Sequence, residues 1–339
     1  GKTVAVTINE FGLRGKSINL AKPAGVKRVL ILGDSYTFGV YVADDEAYPA
    51  VLEALYKNDG ATVEVLNAGY ADGWSPDEHY AWLVHKAEKF QPDVIIYGFF
   101  VGNDIHWINR EGWGNLDERG LPTTITNPNI YVDNVGRIRS KIKDDRTVGY
   151  AHNLLDKIPL LRESHLLIFL NDVCFTSILF PFFKIEEVTT FPFVKITNSY
   201  PMLLEDVSLR VEQQNIVDRF IGQKEELFRR LVWGMSDWSS EHNAKFMLLM
   251  IPINFQVHYR HALAIPKGFR RKSADYFKEL TPWLDENSIA HINLLDEMRQ
   301  FPEERYYPAN GEVHFNPNGH AFTAKLLKER LDQLGWLQR

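Results

Sequence analysis

The chain has 339 residues, 45% hydrophobic and 24% charged, which supplies a substantial core and excludes a disordered polypeptide. Its 38 basic and 44 acidic residues leave a net charge of −6 and are interspersed, with no lysine or arginine block to track a phosphate backbone, so no nucleic-acid partner is expected. The single cysteine, Cys174, excludes an internal disulfide framework and a cysteine-rich zinc site.

The first segment, GKTVAVTINEFGLRG, has no charged-then-apolar leader. Because Gly1 can follow a removed leader, a soluble cytoplasmic and a cell-envelope location both stay open. "VKRVLIL" (Val26–Leu32) and "PDVIIYGFF" (Pro92–Phe100) are short, branched and almost wholly apolar, the pattern of strands covered on both faces. "ATVEVLN" (Ala61–Asn67) reads as a strand between them. Helical segments over Asp45–Lys57 and Pro76–Phe90 separate the three, the second opened by Ser75 as N-cap and Pro76 in the first helical position. Alternation of this kind predicts right-handed crossovers and a parallel sheet.

The pattern resumes with a long helix over about Val207–His242, then strands at "KFMLLMIP" (Lys245–Pro252) and "IAHINLL" (Ile289–Leu295). Asn316 and Pro317 open a last helix running to about Leu334. The predicted architecture is a flavodoxin-like, three-layer α/β/α domain with a five-stranded parallel sheet, formed by 1–104 and 206–339. Residues 105–205 fit the alternation poorly and read as an inserted cap, with a hairpin around "IYVDNVGRI" and a very apolar run, Leu166–Phe183. That run is interrupted by Asn171 and Asp172 and is only 18 residues long, so no transmembrane span is expected. A buried cap element is the preferred reading of 166–183, contact with a membrane surface the alternative.

Parallel strands end on one sheet edge, and ligands of open α/β sheets bind there. Ser35 follows the first strand in "GDSYTFG", Gly69 the second in "NAGYADG", and Asn103 the third in "VGNDI". A serine hydroxyl attacks a carbonyl when a base takes its proton and fixed donors receive the oxyanion. The N–H of Ser35, the backbone at Gly69 and the Asn103 amide are the expected donors. The base is expected from "GEVHFNPNGH": His314 precedes the Asn316 cap, whereas His320 falls on the helix, and Glu312 is placed to orient the imidazolium. Trp74 and Trp107 flank the strand-end loops and are the candidate substrate-binding aromatics. "HYRH", His258–His261, has no apparent third ligand, so no metal site is expected, and the chemistry needs no cofactor.

Taken together and in order, "GDSYTFG", "NAGYADG", "VGNDI" and "GEVHFNPNGH" resemble the four signature blocks of the SGNH, or GDSL-type, hydrolase superfamily. The resemblance spans about Val26 to Leu334 apart from the cap, and the lead-in "NEFGLRG" is similar to the segment before the first block in some bacterial members. It implies the SGNH form of the three-layer fold, with Ser35 as nucleophile and first oxyanion donor, Gly69 and Asn103 as further donors and His314 as base. It also implies a carboxylic esterase acting on a small-molecule or glycan ester. The family's acid is usually an aspartate two or three residues before the histidine. Gly311 and Glu312 stand at those positions here, so a Ser–His–Glu triad and a Ser–His dyad are the alternatives.

Other classes fit less well. The G-x-S-x-G elbow of an α/β-hydrolase is missing, as Thr37 stands two after Ser35; the turn lacks G-x-G-x-x-G spacing; and Asp34 has no second aspartate for a phosphatase pair. An O-acyltransferase using the same serine, and an inactive binding or scaffold protein, are the remaining alternatives.

Overall fold

A computed structural model describes residues 4–71, 74–102, 104–125, 130–132, 138–140, 211–257, 267–301, 304–308 and 313–338. The elements run β1 (Lys27–Gly33), α1 (Ser35–Phe38), α2 (Tyr48–Asn58), β2 (Val63–Gly69), α3 (Pro76–Lys86), β3 (Val94–Phe100) and α4 (Asp104–Trp107). The short strands β4 (Trp113–Leu116), β5 (Pro122–Ile125), β6 (Ile130–Val132) and β7 (Ile138–Ser140) follow. Then come α5 (Val211–Glu241), β8 (Lys245–Ile251), α6 (Asn254–Val257), α7 (Lys267–Glu286), β9 (Ala290–Asn293), α8 (Leu294–Arg299) and α9 (Pro317–Leu334).

Five strands form one sheet in the order β2-β1-β3-β8-β9, and every neighbouring pair is parallel. Register sets Gly33 opposite both Gly69 and Gly98, so β1 and β2 end level and β3 runs two residues beyond them to Phe100. The chain turns to opposite sides of β1 to make β2 and β3. This makes the β1/β3 edge the topological switch point, where such sheets open a crevice.

Val29 to Leu32, Val94 to Tyr97 and Met247 to Ile251 are fully buried, which is why these strands carry apolar runs with no polar face. Among the flanking helices, α2 packs against α9. α5 buries Phe228, Leu231, Val232, Met235 and Trp238 at helical spacing, with the Phe228 ring 4.3 Å from that of Phe99 in β3. Pro76 and Pro317 occupy the opening turns of α3 and α9, as their sequences predict, and Asn316 Oδ1 accepts from the Gly319 N–H at 3.0 Å.

The chain divides into two compact units, 1–126 with 220–259 and 273–339, and 127–219 with 260–272. The first holds the five-stranded sheet and the antiparallel pair β4–β5. Of the second, the described parts are the antiparallel hairpin β6–β7 and the beginnings of α5 and α7. Most of the expected cap, including 166–183, lies outside the described residues. Among those described, no helix is long and apolar enough to cross a membrane.

Candidate active site

β1 ends at Gly33 with φ +150°, and a Cβ there would lie 2.1 Å from Thr37 Oγ1 and 2.8 Å from the Gly98 carbonyl. Only glycine lets the strand turn directly into α1. Asp34 caps that helix, its Oδ1 accepting from the Tyr36 N–H at 3.0 Å, so Ser35 is the first helical residue and does not lie in an open loop. Its Oγ stands 2.9 Å from His314 Nε2, a pair brought together from 279 residues apart.

His314 is held from its own segment and from α1. The buried Tyr36 hydroxyl donates to the Val313 carbonyl, and its ring packs 5.2 Å from the imidazole and 5.0 Å from the Phe315 ring. The Asn316 N–H donates to the Tyr306 carbonyl at 3.0 Å, and the Asn316 side-chain amide to the Arg305 carbonyl at 2.8 Å. Tyr36 thus braces both the helix that Ser35 opens and the segment that carries His314. Its motif position, one after Ser35, gives no hint of this.

The lead-in segment braces the same helix from the other side. Arg14 has a buried guanidinium that donates to the carbonyls of Phe38 at 2.6 Å, of Gly39, and of Val42 at 2.7 Å, while its Nε pairs with Asp44 at 2.9 Å. Its backbone N–H donates to the Asn67 carbonyl at 3.0 Å. Asn67 in turn sends its side-chain amide to the Thr37 carbonyl at 3.0 Å and accepts the Gly69 N–H on Oδ1 at 2.9 Å.

The Gly69 N–H thus donates at the end of its own strand. What requires glycine is proximity, because a Cβ at 69 would stand 2.2 Å from the Phe38 nitrogen and 2.6 Å from the Thr37 carbonyl carbon.

Two buried carboxyl groups lie beside the pair. Burial lifts Asp34 to about 6, opposed by the Tyr36 N–H and by charge on His314. Asp104 accepts from the Phe100 N–H at 3.0 Å and the Tyr97 hydroxyl at 3.1 Å; burial, and then the charge of Asp34, push it well above the carboxylate range. Asp34 Oδ2 and Asp104 Oδ1 have no hydrogen-bond partner among the described residues. His320 is buried and accepts the Tyr48 N–H on Nδ1 at 3.3 Å, and burial lowers it to about 3, which keeps it neutral and structural.

Of the remaining expected residues, Asn103, Glu312 and His258–His261 lie outside the described residues. Trp74 is stacked on Tyr70, centroids 4.3 Å apart, and meets the His79 ring at 5.6 Å with the planes inclined at 63°. Trp107, at the end of α4, is exposed.

No family model and no curated protein sequence matches the chain. Among solved structures it is similar to a catalytic mutant of an acetylxylan esterase from Geobacillus stearothermophilus, at 10% identity and TM-score 0.45 over 92% of this chain and 97% of that one. It is also similar to the lipase/acylhydrolase from Enterococcus faecalis, at 12% identity and TM-score 0.42 over 91% and 96%. A third similar structure is a GDSL-like lipase from Bacteroides thetaiotaomicron, at 10% identity and TM-score 0.40 over 91% and 89%.

Proposed function

We propose that the protein is a carboxylic ester hydrolase that removes a short acyl group, acetyl in the first instance, from a carbohydrate or small-molecule alcohol. The observation that carries the reading is the 2.9 Å contact between Ser35 Oγ and His314 Nε2 at the switch-point edge of the sheet. In the first half-reaction Ser35 Oγ bonds to the carbonyl carbon as its proton passes to His314 Nε2. The tetrahedral adduct then collapses, its C–O bond to the alcohol breaks, and the leaving oxygen takes the proton back from His314. In the second, His314 accepts a proton from water as the resulting hydroxide bonds to the acyl carbon; the adduct collapses, its bond to Ser35 Oγ breaks, and His314 returns the proton to Oγ as the carboxylic acid leaves.

The Ser35 N–H, first in α1, and the Asn103 side chain are the donors we assign to the oxyanion. Glu312, two residues before His314, is the acid we assign to steady the imidazolium, to which the buried charge of Asp34 adds at longer range. The test is hydrolysis of p-nitrophenyl esters of increasing chain length, with Ser35→Ala as control. Turnover of acetate and butyrate esters that Ser35→Ala abolishes is the expected result. Undiminished activity in Ser35→Ala rejects the assignment, and preference for the longest chains rejects the short-acyl part.

A further inference from the structure

Tyr41 combines exposure, an unfavourable backbone and nearness to His314. It is 65% exposed, and it holds a left-handed backbone with φ +67°, a conformation that bulky residues avoid. Its ring centroid lies 5.7 Å from that of His314, the planes inclined at 66°. The turn that presents it is built to resist relaxation. Gly39 and Val40 donate backbone N–H groups to the Ser35 carbonyl at 2.9 and 3.2 Å, and the side chain of Val42 is buried. The buried Arg14 grips the carbonyls of Phe38, Gly39 and Val42, which bracket Tyr41 on both sides. A surface loop with no task has no need of a buried guanidinium to keep an exposed aromatic in an unfavourable backbone state.

The chemistry states which part of a substrate this ring meets. The leaving oxygen must come within proton-transfer distance of His314 Nε2, so the alcohol part of the ester lies on the His314 side of Ser35, beside Tyr41. An alkyl chain is held best in a concave apolar pocket, whereas an exposed ring offers a flat face. A pyranose does fit: the C–H groups of one face stack on the negative face of the aromatic ring while its hydroxyl rim stays in water.

We propose that Tyr41 is the specificity-determining platform for the alcohol part of the substrate, and that this part is a pyranose ring. The proposal rests on the ester-hydrolase reading of Ser35 and His314. Steady-state kinetics of wild type, Tyr41→Gly and Tyr41→Trp on an O-acetylated xylo-oligosaccharide, on ethyl acetate and on ethyl octanoate test it. Glycine tolerates φ +67°, so Tyr41→Gly relieves the backbone strain at this position, and a thermal melt of each variant confirms that it is folded.

The expected result is a KM for the oligosaccharide raised roughly tenfold in Tyr41→Gly and recovered in Tyr41→Trp, a change well beyond any change in KM for ethyl acetate. An unchanged oligosaccharide KM in Tyr41→Gly overturns the platform, as does a loss confined to ethyl octanoate, which would assign the ring to the acyl chain. If wild type cleaves none of the three esters and Ser35 also fails to react with a fluorophosphonate, the underlying hydrolase reading has failed instead.

Discussion

Replacing Gly69 with alanine separates packing from catalysis at the second strand end. The new Cβ would meet the Phe38 nitrogen at 2.2 Å, the Thr37 carbonyl carbon at 2.6 Å and Phe38 Cα at 2.8 Å, all backbone atoms of α1. Ordinary carbon contacts begin at about 3.5 Å, so α1 must retreat by about 1 Å, and it cannot do so by rotating a side chain. The retreat strains the Asn67 bond to the Thr37 carbonyl and the Arg14 bond to the Phe38 carbonyl. Overpacking of this kind costs about 1–3 kcal/mol of stability. Because Ser35 opens the same helix, its Oγ is carried away from His314, and a displacement of about 1 Å from reactive geometry lowers turnover on the order of 100-fold. The assay is kcat on p-nitrophenyl acetate beside a thermal melt. Alanine keeps the N–H of residue 69, so loss of an oxyanion donor cannot explain a fall in rate. Full kcat with an unchanged melting temperature would refute the close-packing account.

Two further substitutions probe the braces. The folded pKa of Asp34, about 6, lies above the ordinary 3.8, so its contribution to stability is full below 3.8 and is lost as pH rises through about 6. Asp34→Asn keeps an oxygen for the Tyr36 N–H and removes the charge; urea unfolding should show it gaining about 2–3 kcal/mol on wild type between pH 4 and 7.5, whereas a pH-independent gap would count against the buried charge. Tyr36→Phe removes the hydroxyl that donates to the Val313 carbonyl, and about 1–3 kcal/mol of stability should go with it. Turnover should fall about tenfold as His314 loosens, so an unaltered kcat would mean that the loop holds itself.

The three central strands were legible because a strand covered on both faces carries an apolar run, as β1 does from Val29, β3 from Val94 and β8 from Phe246. The α7 helix was not legible: Lys267–Glu286 begins with a basic cluster and has Pro282 inside it, and Tyr276, Phe277, Leu280 and Leu284 are buried among its described side chains. The four-residue strands β4 and β5 were hidden among glycine and proline signals that read as loop. At the site, Ser35 and His314 could be read because they follow from motif and strand-end logic. The bond from the Gly69 N–H to Asn67 Oδ1 could not, since it depends on the side-chain direction of Asn67 two residues earlier. Arg14, Tyr36 and Tyr41 escaped for the same reason: each matters through a contact with a carbonyl or ring distant in sequence, which no spacing rule encodes.

The central claim is that His314 activates Ser35, and the rate of covalent labelling by a fluorophosphonate, located by peptide mass spectrometry, tests it most directly. The account predicts one adduct, on Ser35, forming at least about 100-fold more slowly in His314→Ala. Labelling of another serine, or an undiminished rate on Ser35 without the imidazole, would contradict it.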